Sequence, residues 1–234
     1  MASRRPNPWA GFGVALLTVA IIAVGAWLAL RPAPDAPPPP PFTPGPDARA
    51  ATVVWVADGD TLEVRLPGSD AAVRARLLGI DAPEGPSQGR PAQCLADEAR
   101  AALLELTPVG GTITVDDLGR DRFGRRLVAL TTADGVLVNA ELVRRGLAGP
   151  LVVGGDGRLQ DQVRAAQAEA AASGAGLHAA SGCTILGRLA GADPATAQGV
   201  LDDLLADERN ALVQGLLPEA RDAAEREARR LAAG

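Results

Sequence analysis

The sequence predicts an α+β protein: a five-stranded barrel with three helices, preceded by one transmembrane helix and followed by a short helical tail. Three observations carry that expectation. Apolar, β-branched alternation begins at Thr52 and is cut into strand-length pieces by Asp58-Gly59 and Pro67-Gly68. A helix-period segment is inserted after the third piece. Ahead of both, Trp9 to Leu30 carries no charged side chain.

Size and composition narrow the functional classes. The 234 residues allow one ordinary domain with extensions, and a hydrophobic content of 47% is enough for a core. Two cysteines and one histidine exclude a disulfide-dense scaffold, a four-cysteine zinc site and multi-histidine metal centres. A net charge of −5 argues against a generic nucleic-acid coating protein. All 23 basic residues are arginine, so lysine-based covalent chemistry is excluded.

Taken in order, residues 1–8 are expected in the cytoplasm and residues 9–30 as an uncleaved anchor. Trp9 and Trp27 lie near its ends, and Arg4 and Arg5 precede it. A cleaved signal peptide is the competing reading; the run is long for one, and no small-x-small site follows directly. Residues 31–50, with an unbroken proline run from Pro37 to Pro41, read as an extended polyproline linker. Strands are expected over Thr52–Ala57, Thr61–Leu66 and Val73–Ile80, then Thr112–Val115 and Arg126–Thr131. Helices are expected over Pro91–Leu106, Asn139–Arg145 and Arg158–Ser173, the last stopped by Gly174. Five strands with a helix after the third is the order of an OB-fold barrel, assigned here to residues 51–185. Residues 186–234 form the tail. There Asp193-Pro194 starts one helix with a stripe of Val200, Leu201, Leu204, Leu205, Leu212, Val213 and Leu216, and Pro218 starts another.

Three charged clusters fall at strand ends and loops: Asp58-Gly59-Asp60-Thr61, Arg76 to Glu84, and Asp121-Arg122-Phe123-Gly124-Arg125. Each alone reads as turn chemistry. Together with the helix segment Val138-Asn139-Ala140-Glu141-Leu142-Val143-Arg144-Arg145-Gly146-Leu147-Ala148, they resemble the staphylococcal nuclease (thermonuclease) family from about residue 51 to 180. The resemblance implies a calcium-dependent phosphodiesterase that cleaves the P–O5′ bond of DNA or RNA and leaves 3′-phosphorylated products. It implies that Asp60, Asp81 and the backbone carbonyl of Ala82 bind Ca2+, and that Arg76, Glu84 and Arg125 are catalytic.

The residue chemistry agrees. Two aspartates, a carbonyl and waters suit calcium, with Asp58 near enough in sequence to act through water. Arg76 and Arg125 offer fork-shaped cationic donors to a phosphodiester, and Glu84 can take a proton from water. Departures from the family pattern are Ala82 for threonine, Phe123 for tyrosine, His178 for tryptophan as a structural replacement, and no aromatic residue between Gly149 and Gly157. The last predicts weaker nucleotide stacking.

Cys94 and Cys183 stand at the edges of the helical layer, outside apolar runs, which favours a disulfide over two buried free thiols if the domain lies outside the membrane. The expectation is therefore a single-pass membrane nuclease with its catalytic domain extracytoplasmic. Its substrate is single-stranded DNA or RNA, its N-terminal helix engages the membrane, and no obligate protein partner is evident. Two further readings stay open: a non-catalytic nucleic-acid-binding or interaction module on the same barrel, and a cell-surface structural protein.

Overall fold

The computed structural model describes residues 39–87, 89–151, 157–180, 182–206 and 211–233. The expected cytoplasmic residues 1–8, the anchor at 9–30 and residues 31–38 of the linker lie outside the described residues. Among those described, no helix is long and apolar enough to cross a membrane.

The strands are β1 (Arg49–Val56), β2 (Thr61–Arg65), β3 (Ala72–Leu77), β4 (Ile80–Asp81), β5 (Thr112–Arg120), β6 (Arg126–Thr131) and β7 (Gly149–Pro150). Five of them close a barrel in the order β1-β2-β3-β6-β5, sealed by antiparallel pairing of β1 with β5; β4 and β7 form a separate two-stranded sheet. The barrel is antiparallel apart from β3–β6, whose parallel pairing is made possible by the helix that crosses between them.

The helices are α1 (Ala96–Leu106), α2 (Val138–Arg144), α3 (Gly157–Ser173), α4 (Ile185–Leu189), α5 (Pro194–Ala206), α6 (Ala211–Gln214) and α7 (Pro218–Ala232). In α3, Leu159, Val163, Ala166 and Ala170 recur at helical spacing and are buried, the first three within the barrel core. The barrel core comprises Leu62, Val64, Leu77, Ile80, Leu103, Val128, Leu130 and Leu142 with their neighbours.

Several expected boundaries shift for physical reasons. Alternation in β1 puts Ala51 and Val53 inward, but a bulge between Val53 and Trp55 re-phases the strand, so Val56 is buried and Trp55 is 47% exposed. The third strand does not reach Ile80: a turn at Leu78-Gly79 breaks it, and Ile80–Asp81 pairs instead with Gly149–Pro150. β5 runs to Arg120, because it pairs with β6 through a second bulge at Asp117–Gly119. The first helix begins at Ala96 rather than Pro91, since Gln93 is held by Glu84 and Cys94 by a disulfide to Cys183. The linker does not stay extended to residue 50. Phe42 packs on the barrel core, the Gln162 side chain donates to the Pro40 carbonyl, and the Gly45 N–H donates to Asp116.

The C-terminal stripe divides over α5 and α6, and Leu205 is 57% exposed. Leu177, Ile185, Val200, Leu204, Val213, Leu216, Ala224 and Ala228 make a second core, against which Cys94 and Leu95 also pack. Residues 39–234 nevertheless form one compact unit, and α4 spans the boundary expected at residue 185.

Candidate active site

The turn between β1 and β2 carries Asp58 and Asp60. The Asp60 N–H donates to Asp58 Oδ1 at 3.0 Å, which closes the turn. Gly59 is required there by space: a Cβ would come within 2.6 Å of Ala99 Cβ and 2.7 Å of Ala82 Cβ. The turn thus presses onto α1 and onto the segment after β4, and this close approach delivers Asp60 to Ala82. Asp60 Oδ2 accepts from the Ala82 N–H at 2.8 Å, and Oδ1 accepts from the Thr61 hydroxyl at 3.0 Å.

Arg76 lies opposite Thr61 in the β2–β3 register and is 8% exposed. Its guanidinium spans two carboxylates, with one terminal nitrogen 2.7 Å from Asp60 Oδ2 and the other 2.6 Å from Asp81 Oδ1. One cation therefore serves two carboxylates in a site nearly closed to water. Burial pushes the Asp60 carboxyl up to about 8, against the pull of Arg76, and pushes Asp81 up to about 6. Glu84, exposed just beyond Pro83, is also raised, first by desolvation and then by the nearby Asp58.

The opposite wall is the loop between β5 and β6. Desolvation of Asp121 is outweighed by its hydrogen bonds with the Arg125 side chain, the Arg125 N–H and the Phe123 N–H, so its carboxyl is lowered. Those bonds measure 2.6, 2.9 and 2.9 Å and make Asp121 the organiser of the loop. Phe123 projects with 70% of its surface exposed, with the Arg122 and Arg125 guanidiniums 4.8 and 5.8 Å from its ring centroid. Between the two walls runs a cleft of about 660 Å³, lined by Arg76, Asp81, Glu84, Arg120, Arg122 and Arg125 among others. Adjoining it, about 510 Å³ of open space is bounded by Asp58, Arg74, Glu84, Phe123 and Arg125. Arg126, in the same basic run of sequence, pairs instead with Asp117.

Of the residues singled out from sequence, Arg76, Asp81, Glu84 and Arg125 line one cleft, Asp60 lies beneath it on Arg76, and Asp58 borders the adjoining space. Ala82 is buried, with its N–H on Asp60. His178 is buried at the short 3-10 turn that follows α3, and burial lowers its pKa. Residues 152–156 of the loop that lacks aromatics lie outside the described residues.

Sequence reasoning missed Asn139 as a support of the site. Its side chain is fully buried; its amide donates to the carbonyls of Leu78 (2.9 Å) and Val128 (3.1 Å), and its oxygen accepts from the Leu130 N–H (3.0 Å). It fastens the turn that leads to Asp81. The polar residue within an otherwise apolar helix start was the available signal.

Among the described residues, no group of three or more His, Cys, Asp or Glu side chains is placed to hold a metal. The donor chemistry of Asp60 and Asp81 still fits a hard cation that completes its shell with carbonyl oxygen and water. Both offer hard carboxylate oxygens, and the two share a single cation, the Arg76 guanidinium.

Residues 74–180 match the family described as staphylococcal nuclease homologue. That span holds Arg76, Asp81, Ala82, Glu84 and Arg125, with Asp58 and Asp60 just ahead of it. Two similar proteins, from Escherichia coli O157:H7 and Escherichia coli and each named an uncharacterized endonuclease, are 41% identical over 98 residues. The match takes 41% of this chain and 57% of theirs, so the chain spans little more than half the length of these relatives. An uncharacterized Bacillus anthracis protein is 33% identical over 96 residues, covering 40% of this chain and 44% of its own.

Proposed function

We propose that the protein is a calcium-dependent nuclease that hydrolyses single-stranded DNA or RNA. The observation that carries the reading is the pair of walls: Arg76 with its two carboxylates and Glu84 on one side, Arg125 facing the same cleft from the other. Calcium would be held by Asp60 and Asp81, helped by the Ala82 carbonyl and, through water, by Asp58. When bound it supplies Lewis-acid stabilisation of charge on the phosphodiester.

The chain's own residues do the rest. Arg125, held in place by Asp121, offers N–H donors to phosphate oxygens whose charge grows as the attacking water adds. Arg76 contributes its charge from beneath. The raised carboxyl of Glu84 accepts a proton from the water as its oxygen bonds to phosphorus. The P–O5′ bond breaks, its electron pair goes to O5′, which takes a proton from solvent, and the phosphate stays on the 3′ side. Exposed Phe123, flanked by two guanidiniums, gives a base a ring to stack on.

The proposal extends to a single-pass anchor at residues 9–30 and an extracytoplasmic domain. It is supported by the uncharged run, by Arg4 and Arg5, and by the Cys94–Cys183 disulfide, which suits an oxidising compartment. The test is incubation of the purified full-length protein with end-labelled single-stranded DNA and RNA, in calcium and then in chelator. Calcium-dependent cleavage to 3′-phosphorylated products is expected. Binding of strands without cleavage under any divalent metal would leave the non-catalytic module in its place.

A further inference from the structure

We propose that the C-terminal helical layer sets the positions of Glu84 and Asp81, with Gln93 and Gly149 as the positioning residues. The inference rests on the reading of those two carboxylates as site residues.

Glu84 opens a loop that returns to it at Gln93. The Gln93 N–H donates to the Glu84 carbonyl at 2.9 Å, and the Glu84 N–H donates to Gln93 Oε1 at 2.8 Å. A single residue therefore fixes both backbone polar groups of Glu84. The next residue, Cys94, is bonded to Cys183, 89 positions along the chain. Leu95 follows with φ at 66°, the only positive φ of a non-glycine among the described residues, and packs with Cys94 against the second core. A bulky side chain holds that conformation only where its surroundings over-determine it. The base of the Glu84 loop is thus fastened to the C-terminal layer.

The second attachment reaches Asp81. In the β4–β7 sheet Asp81 pairs with Gly149, and Gly149 backs onto the chain leaving α6. A Cβ on Gly149 would lie 2.6 Å from Gly215 N and 2.9 Å from the Gln214 carbonyl carbon. Those backbone atoms have little room to retreat. The buried Gln167 amide donates to the Gly215 carbonyl at 3.0 Å, and Gly215 itself has Leu177 against it, 2.7 Å from where its own Cβ would be. The layer therefore bears on the metal-ligand strand at one point and on the proton-accepting loop at another, in neither case touching the cleft.

The experiment uses the full-length chain and three readouts: amide exchange by mass spectrometry, calcium binding by calorimetry, and cleavage kinetics. Gln93→Ala should raise exchange at the Glu84 amide at least about tenfold and lower kcat about tenfold, with calcium affinity unchanged. Gln93→Glu, which keeps the accepting oxygen, should restore both to within about twofold. Gly149→Ala should weaken calcium binding at least about fivefold while kcat at saturating calcium stays within about twofold. Should Gly149→Ala fail to fold, Cys183→Ser provides the second arm: exchange should rise over residues 84–93 while β1 to β3 stay protected. Unchanged exchange in both Gln93→Ala and Cys183→Ser, or a common fall in kcat and calcium affinity in Gln93→Ala and Gly149→Ala, would overturn the proposal. A wild type that cleaves nothing would end the nuclease reading, whereas the exchange and calorimetry arms would still decide this one.

Discussion

Replacing Arg76 by methionine keeps an aliphatic stem and removes the one cation shared by Asp60 and Asp81. Their side chains are only 4% and 17% exposed, and the lost contacts are 2.7 and 2.6 Å long. Leaving a buried charge without its partner costs about 3–5 kcal/mol. For a domain of this size that lowers Tm by roughly 6–20 °C. The cost depends on pH with a definite sign. Both carboxyls titrate above their unfolded value of 3.8, at about 8 and about 6, so the folded state binds protons more tightly than the unfolded one. Stability therefore falls as pH rises through that window, and loss of Arg76, which pulls both values down, steepens the fall. The assay is thermal unfolding of wild type and Arg76→Met in chelator at about pH 5 and about pH 8.5, then at the higher pH with calcium. The deficit should be full at the high pH, shrink at the low pH where the carboxyls are protonated, and be partly recovered by calcium. A deficit equal at both pH values, or a high-pH Tm within about 2 °C of wild type, would refute the reasoning.

Two other perturbations test supports of the site. Asn139→Ala orphans the Leu78 carbonyl and the Leu130 N–H, while the Val128 carbonyl keeps its bond from the Leu78 N–H; calorimetry should show a loss of about 3 kcal/mol, and a loss below about 1 would contradict the assigned role. Asp121→Ala releases the Arg125 side chain and two N–H groups of the loop, so kcat/KM should fall about tenfold with calcium binding by calorimetry unchanged.

The parts of the fold that could be read from sequence were those governed by local periodicity. The alternation of β2 and the apolar stripe of α3 mark their own buried faces, and the Asp-Gly and Pro-Gly turns separate the strands. What escaped was set by distant contacts. The bulge that turns Trp55 outward depends on pairing with β2, and the break after Leu77 depends on Gly149–Pro150 arriving from about seventy residues away. The first helix starts late because Gln93 and Cys94 are engaged elsewhere.

The candidate site was legible as a set of residues only through the family resemblance that the three charged clusters carry together, since each alone reads as turn chemistry. Its wiring was not. No local pattern shows that the Arg76 guanidinium bridges Asp60 and Asp81, that Asp121 organises its loop, or that the C-terminal helices bear on the site.

In the proposed mechanism Glu84 takes part in the chemical step of phosphodiester hydrolysis. The most direct measurement is the initial rate of single-stranded DNA cleavage by wild type and Glu84→Gln at saturating calcium. The substitution keeps side-chain size and removes the proton acceptor. Glu84→Gln should have kcat at least about a hundredfold lower, roughly 2.7 kcal/mol of transition-state stabilisation, with KM within about threefold of wild type. Equal rates for the two proteins would contradict that role.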